Sequence, residues 1–350
     1  MKIAGRPIGR DHAPYLIAEL SANHNGSLER ALNIVRAAKE AGADAVKLQT
    51  YRPDTITLDS DRPEFMIHGG LWDGKRLYDL YQWAHMPWEW HAPLFALGKQ
   101  LGITVFSSPF DFTAIDLLAE LDAPAYKIAS FEAIDLPLIR YAAETGKPLI
   151  ISTGMANERE IAAALETAHK HGCGEVALLH CVSGYPAPAA EYHLATIADM
   201  RQRFGVEVGL SDHTLGSATA IAATAVGATL IEKHFTLRRA DGGPDSAFSM
   251  EPEELAQLAQ DTRTAWSAIG APRYSLSASE QHNIQFRRSL YLVKAVSAGE
   301  RLTSEHVRSV RPGLGLPPAD FDRVVNAVAR RALAANTPLS WDDLQANPAE

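Results

Sequence analysis

Short apolar and β-branched runs recur along the chain: Tyr15–Leu20, Ala45–Thr50, Ile103–Ser107, Ala125–Ser130, Pro148–Thr153, Glu175–Cys181, Val206–Ser211 and Thr229–Phe235. Between them apolar residues return at helical spacing, as in Leu28–Ala41, Ala114–Leu121, Leu136–Thr145, Glu158–His171 and Ala218–Gly227. Strands separated by helices predict parallel pairing, because the crossover brings the chain back in the same direction. Eight such units within roughly 250 residues are the arithmetic of an α/β fold of the (β/α)8 TIM-barrel type. A doubly wound sheet is the competing arrangement, but it seldom spaces eight units so evenly.

The pattern changes near residue 270. Gly270–Asn283 is rich in Ser, Ala and polar residues and predicts a linker. The expected division is a barrel over 1–272, a linker over 273–285 and a compact tail over 286–350. A tail of about 65 residues is marginal on its own and is expected to lean on another surface. The second crossover, Arg52 to Gly102, is unusually long and holds Trp72, Tyr78, Tyr81, Trp83, Trp88 and Trp90. It predicts extra helix over the barrel, doubling as a wall above a sugar-sized pocket.

Polar residues gather where the strand-like runs end: Glu19, Asn23 and His24; Lys47 and Gln49; Ser107 and Ser108; Lys127, Ser130 and Glu132; Ser152 and Thr153; Ser183 and Tyr185; Ser211, Asp212 and His213; Glu232 and His234. The C-terminal strand ends form the active-site face of such barrels. One polar strand end means little; eight of eight predict an enzyme.

Composition narrows the partners. A net charge of −9 argues against nucleic acid or an anionic membrane, so an anionic substrate needs a local cluster of Lys and hydroxyl groups. Two cysteines, Cys173 and Cys181, are no disulfide framework, and no run of about 18 apolar residues suggests a membrane span. The first ten residues lack an apolar signal-peptide core, and the expected location is the cytoplasm.

His213 and His234 end successive strands, so their imidazoles are placed to share one metal ion; local hydrogen bonding is the plain alternative for either alone. If the barrel closes, Glu19 joins them from the first strand, as a third ligand, as a general acid or base, or simply as the partner of a lysine. Two neutral imidazoles leave open positions, which suits a Lewis-acid site. Lys47 and Lys127, with Ser108, Ser130, Ser152, Ser183 and Ser211, make a cradle for phosphate plus carboxylate. A Schiff base on a barrel lysine is a lesser alternative. Asp245, in the turn Gly242-Gly-Pro-Asp245, either contacts a substrate or caps its own turn.

These residues fall within longer motifs: Ala-Glu-Leu-Ser-Ala-Asn-His-Asn-Gly (18–26), Val-Lys-Leu-Gln-Thr (46–50), Phe-Ser-Ser-Pro-Phe-Asp (106–111), Tyr-Lys-Ile-Ala-Ser-Phe-Glu (126–132), Ser-Thr-Gly-Met (152–155), Tyr-Pro-Ala-Pro (185–188), Gly-Leu-Ser-Asp-His-Thr (209–214), Glu-Lys-His-Phe (232–235) and, in the tail, Arg-Ser-Val-Arg-Pro-Gly (308–313). In this order they resemble the sialic-acid synthase family of nonulosonic acid synthases over nearly the whole chain, and its pseudaminic branch in particular. The tail is similar to that family's antifreeze-like SAF (β-clip) domain. The resemblance implies a transferase that joins phosphoenolpyruvate to an open-chain amino sugar and releases phosphate by C–O cleavage. It implies a divalent metal (Mn²⁺, Co²⁺ or Mg²⁺) on His213 and His234. Phosphoenolpyruvate would lie among Lys47, Ser108, Lys127, Ser130, Ser152, Ser183 and Ser211. Gln49, Glu132, Tyr185 and Asp245 would face the sugar, with Glu19 as acid or base. A domain-swapped homodimer would bring Arg311 to the neighbouring barrel's sugar.

The branch rests on Ser21-Ala22 before Asn-His-Asn, Ser107-Ser108 before Pro109, and Ser183 two residues before Tyr185. It implies 2,4-diacetamido-2,4,6-trideoxy-L-altrose as the sugar, while Met86-Pro-Trp and His193 depart from the expected pattern. The alternatives are an N-acetylneuraminic or legionaminic acid synthase and, more remotely, a metal-dependent barrel aldolase.

Overall fold

The computed structural model describes residues 1–345, in two compact units divided between Gly270 and Ala271. The first is a closed barrel of eight parallel strands: β1 (Tyr15–Glu19), β2 (Ala45–Thr50), β3 (Thr104–Pro109), β4 (Tyr126–Ile128), β5 (Leu149–Ser152), β6 (Val176–Cys181), β7 (Glu207–Asp212) and β8 (Leu230–His234). β8 pairs with both β7 and β1, which closes the ring. One α-helix packs after each strand: α1 (Leu28–Glu40), α2 (His91–Leu101), α3 (Phe112–Glu120), α4 (Leu136–Ala143), α5 (Glu158–Lys170), α6 (Ala195–Phe204), α7 (Ala218–Ala225) and α8 (Pro252–Ile269); the long crossover before α2 adds the expected extra helix as two short helices, Pro53–Ile56 and Leu77–Ala84.

Several helix starts carry residues that satisfy their free N–H groups. Asp111 accepts from the Ala114 N–H at 2.9 Å, and Asn157 with Glu160 forms a reciprocal cap on α5. The expected strands are all present, with β2 as expected and the others differing by one or two residues at one or both ends. β4 is the most shortened, because Ser130–Glu132 already turns as a 3-10 helix.

The pleat sorts each strand into two faces. Outward residues such as Leu16, Leu48, Val105, Ile128, Ile151, Leu178, Leu210 and Ile231 pack against the helices. Inward residues in the lower half of the barrel form a separate apolar plug: Tyr15, Ile17, Ala45, Phe106, Ala125, Ile150, Ala177, Leu179 and Leu230, closed from below by Ile3 and Ile8. Gly209 is the inward residue of β7 at this level, and a Cβ there would collide with Leu230 and Leu179. The plug is therefore full.

The second unit has its own core, including Leu290, Leu292, Val296, Leu302, Val307, Val324, Leu333, Leu339 and Leu344, around short antiparallel strand pairs. The segment expected as a linker is not structureless: Ala278–Phe286 forms 3-10 turns, entered through a Ser277–Glu280 cap. Among the described residues no helix is long and apolar enough to cross a membrane.

Candidate active site

One pleat step above the plug, the same inward face becomes polar. β1 places Glu19 there, β2 Lys47, β3 Ser108, β4 Lys127, β5 Ser152, β6 Cys181, β7 Ser211 and β8 Glu232, and all eight are buried. Lys47 Nζ lies 3.0 Å from Glu19 Oε2 and donates to Glu232 Oε1 at 3.1 Å. Ser211 Oγ donates to the same Glu232 oxygen at 3.1 Å. Lys127 Nζ donates to Ser152 Oγ at 2.6 Å and to the Ile128 carbonyl at 3.2 Å.

Burial opposes every charge in this layer, and the neighbours decide which charges persist. Burial lifts the Glu19 carboxyl to about 7, with Lys47 pulling it down and Glu232 pushing it up. Burial also acts upward on Glu232, but the Lys127 and Lys47 charges and bonds from Lys47 and Ser211 outweigh it and hold this carboxyl low. Lys47 feels burial too, yet Glu19 and Glu232 raise it to about 12. Lys127, mainly through burial, falls to about 8. The layer thus holds one firm ion pair and two groups that titrate near neutrality.

The histidines stand at its upper edge. β8 pairs Lys233 with Asp212 and His234 with Glu19, and His213 is the next residue after β7. The imidazole centroids are 5.4 Å apart. His213 Nδ1 lies 2.8 Å from the Val182 carbonyl; a proton there leaves Nε2 as the free acceptor. His234 Nδ1 is buried without a protein partner. Burial first, then the charges of His213, Lys47, Lys233 and Lys127, hold the His234 pKa well below its usual value, so its imidazole is neutral. The Tyr185 ring lies 4.3 Å from that of His213, and the Phe248 ring 4.8 Å from that of His234.

Around the rim, Gln49 Nε2 donates to Glu19 Oε1 at 3.1 Å and to Ser21 Oγ at 3.0 Å. Asp245 accepts from the Ser21 hydroxyl and from the Ala22 N–H, so it braces the β1 loop. Ser130 Oγ accepts from the Gly154 N–H at 3.2 Å, and a side chain at Gly154 would strike Ser130 and Ser183. Burial raises the Glu132 carboxyl to about 7. Ser108 Oγ, Ser183 Oγ, Glu132 Oε2 and Glu232 Oε2 are buried with no protein partner, an arrangement that suits a ligand. From the long β2 crossover, Trp72 donates to the Pro244 carbonyl at 3.0 Å, its ring centroid 5.8 Å from that of Tyr185.

The barrel therefore brings together every expected site residue except Arg311. That residue lies exposed in the second unit, just beyond the strand Val307–Val310. Sequence reasoning left out Ser21, Cys181 and Tyr192 as site members, and it placed Glu232 at the strand-end face without giving it a role. Glu232 was accessible from period-two spacing, two residues before His234. Tyr192 gave no signal: its hydroxyl meets the His213 N–H at 2.7 Å only because the β6–α6 loop folds back.

A closed (β/α)8 barrel with a layer of buried ionisable groups at its C-terminal strand ends defines a barrel enzyme. The NeuB family model matches residues 34–274 and the SAF domain model residues 287–345, so the chain belongs to the NeuB family, with a C-terminal SAF domain. It is accordingly an enzyme of the sialic-acid-synthase type, a transferase. A Helicobacter pylori relative named pseudaminic acid synthase is 44% identical over 334 residues, covering 95% of this chain and 98% of the relative. A Legionella pneumophila relative named N,N'-diacetyllegionaminic acid synthase is 35% identical, covering 99% of each. The crystal structure of an N-acetylneuraminic acid (sialic acid) synthetase from Leptospira borgpetersenii serovar Hardjo-bovis, in complex with citrate, is similar with a TM-score of 0.73 and 30% identity. That match covers 82% of this chain and 95% of the other.

Proposed function

We propose that this enzyme condenses phosphoenolpyruvate with 2,4-diacetamido-2,4,6-trideoxy-L-altrose to give pseudaminic acid and phosphate. What carries the reading is the buried layer of Lys47, Lys127 and serine hydroxyls at whose upper edge the His213 and His234 imidazoles stand 5.4 Å apart. The similarity to relatives named pseudaminic acid synthase, at 44% and 42% identity, supports the choice of sugar.

In this reading Lys127, with Ser108, Ser130, Ser152, Ser183 and Ser211, holds the phosphate and carboxylate of phosphoenolpyruvate, and Lys47 adds positive charge from the same layer. The enolpyruvate methylene carbon attacks the sugar aldehyde carbon and forms the new C–C bond. Glu19, raised to about 7, is poised to deliver a proton to the aldehyde oxygen near neutral pH. Water adds to the cationic carbon and gives one proton to the Glu19 carboxylate left by that donation; the carbon's bond to the phosphate oxygen then breaks, leaving the 2-keto group and releasing phosphate with the remaining hydroxyl proton. Gln49, Glu132 and Tyr185 orient the sugar, with Asp245 bracing the loop beside it.

His213 and His234 fit a divalent ion such as Mn²⁺, Co²⁺ or Mg²⁺: each has a nitrogen without a protein partner, and among the described residues no third His, Cys, Asp or Glu completes a closed site. Such an ion, when bound, polarises the aldehyde.

A homodimer in which the second unit of one copy caps the other's barrel, bringing Arg311 to the sugar, belongs to the same reading. Loops that follow the strands support it: Leu58, Phe131, Ile134, Met155 and Leu215 are 59–66% exposed, large apolar side chains suited to being covered. The buried free cysteines suit a cytoplasmic location.

The test is phosphate release and product mass from metal-stripped enzyme with phosphoenolpyruvate, with and without Mn²⁺. Metal-dependent release with the altrose sugar, and little with N-acetylmannosamine, is the expected outcome. Release only with N-acetylmannosamine or the legionaminic precursor would overturn the sugar; turnover without phosphoenolpyruvate would favour an aldolase.

A further inference from the structure

Behind the two histidines, facing the helices, lies an ion pair that touches nothing in the cavity. Lys233 Nζ is 2.8 Å from Asp212 Oδ2, and the two side chains are 1% and 0% exposed. The ammonium also donates to the Thr214 carbonyl, while the Thr214 N–H donates to Asp212 Oδ1 at 2.8 Å. Lys233 immediately precedes His234, and its ammonium grips the residues on both sides of His213. One side chain thus ties the backbone carrying one imidazole to the backbone carrying the other.

Each histidine has restraints of its own. Tyr192 OH accepts from the His213 N–H at 2.7 Å and donates to the Ser211 carbonyl at 3.3 Å. The His234 carbonyl accepts from the Met250 N–H at 2.8 Å. None of these three bonds joins the two histidines. The strand ladder does so only up to the Lys233–Asp212 register, one residue short of the pair. Stability alone explains this ion pair poorly, because well-packed apolar residues in place of a buried pair are often neutral or stabilising. What an apolar pair lacks is direction.

We infer that Lys233, through Asp212 and Thr214, is a positioning residue that sets the separation of the His213 and His234 imidazoles for a divalent cation. The inference rests on the proposed role of these two histidines. It concerns a side chain outside the cavity, on the opposite face of β8 from Glu232 and His234.

The experiment is Mn²⁺ titration of the metal-stripped full-length enzyme, with free Mn²⁺ read by electron paramagnetic resonance. The parent is compared with the double variant Lys233→Met, Asp212→Asn, in which Asn retains an acceptor for the Thr214 N–H. Loss of partners around a ligand typically weakens metal binding about 10- to 100-fold, and a loss of that size with Tm within a few degrees of the parent is expected. Phosphoenolpyruvate binding by the metal-free variant is expected to match the parent. Mn²⁺ affinity within twofold of the parent would overturn the positioning role while leaving the histidine reading standing. A parent that binds no Mn²⁺, or a His213→Ala variant that binds it as well as the parent, would overturn the histidine reading itself and this inference with it. Should this double variant fail to fold, Lys233→Leu with Asp212→Asn, which likewise leaves no unpaired buried charge, carries the comparison, with the same loss expected and unchanged affinity again overturning the role.

Discussion

Two layers of one barrel interior, separated by a single pleat step, are built to opposite rules. The lower layer, with Ile17, Phe106, Ile150, Leu179 and Leu230, is apolar and filled to the point that β7 has room only for Gly209. The upper layer buries Glu19, Lys47, Lys127 and Glu232 at 1–4% exposure and leaves several hydroxyl and carboxylate oxygens without protein partners. Dispersion and exclusion of water stabilise the first. Desolvation works against the second, and mutual pairing offsets it only in part. The same backbone thus holds a rigid plug and, directly above it, a preorganised polar cavity. The plug keeps water out from below and fixes the height at which the charged groups sit.

Removing the imidazoles is the largest expected effect that tests this contrast. His213→Ala or His234→Ala should lower kcat/KM by about 10³-fold or more, the several kcal/mol a polarising cation supplies. Tm should move by only a few degrees. Phosphate-release kinetics beside a thermal melt check both, and residual activity within tenfold of the parent would remove the histidines from the chemistry.

The next pair of variants compares the layers directly. Lys47→Met leaves Glu19 and Glu232 without their shared cation and should cost about 3–5 kcal/mol. Phe106→Ala should cost a similar amount, about 3–5 kcal/mol, through a cavity. Urea denaturation measures both losses. Activity per folded molecule separates them: Phe106→Ala should retain most of it and Lys47→Met almost none.

Acid–base behaviour offers a finer distinction. Burial lowers Lys127 to about 8, so its charge, and the affinity for phosphoenolpyruvate that depends on it, should decline as pH rises through 8. Stability moves the other way. An unfolded lysine keeps its proton up to about 10.4, so between there and 8 the unfolded chain binds more protons and stability rises with pH. KM for phosphoenolpyruvate and urea midpoints across that range test the two signs, and Lys127→Met should flatten both trends.

The smallest expected effect concerns the second unit. Arg311→Ala should raise KM for the sugar by about tenfold, or about 1.4 kcal/mol, and leave KM for phosphoenolpyruvate within about twofold. Equal losses for both substrates would remove Arg311 from the sugar site.

Much of this arrangement was legible in the residues. Glu19, Lys47, Lys127, Ser152, Ser211 and His234 all fall at the ends of apolar runs, and β-strand alternation puts each on the inward face. Asp245 was ambiguous between a ligand contact and a turn cap, and the structure uses it to hold Ser21 and the Ala22 N–H. The hydroxyl of Tyr192 and the ammonium of Lys233 left no trace in any periodicity. Both act through contacts with backbone far away in the chain.

By itself, the sequence determined the number and order of the barrel strands, the inward parity of the polar residues and membership of the family. Those properties depend on local periodicity and on the kinds of residue present. Only the tertiary structure decided which charges meet. Lys47 reaches Glu232 across 185 positions, and His234 faces Glu19 because barrel closure sets the β8–β1 register. Burial then decided the protonation states, raising Glu19, lowering Lys127 and keeping His234 neutral, because desolvation exists only once the barrel has closed around these groups.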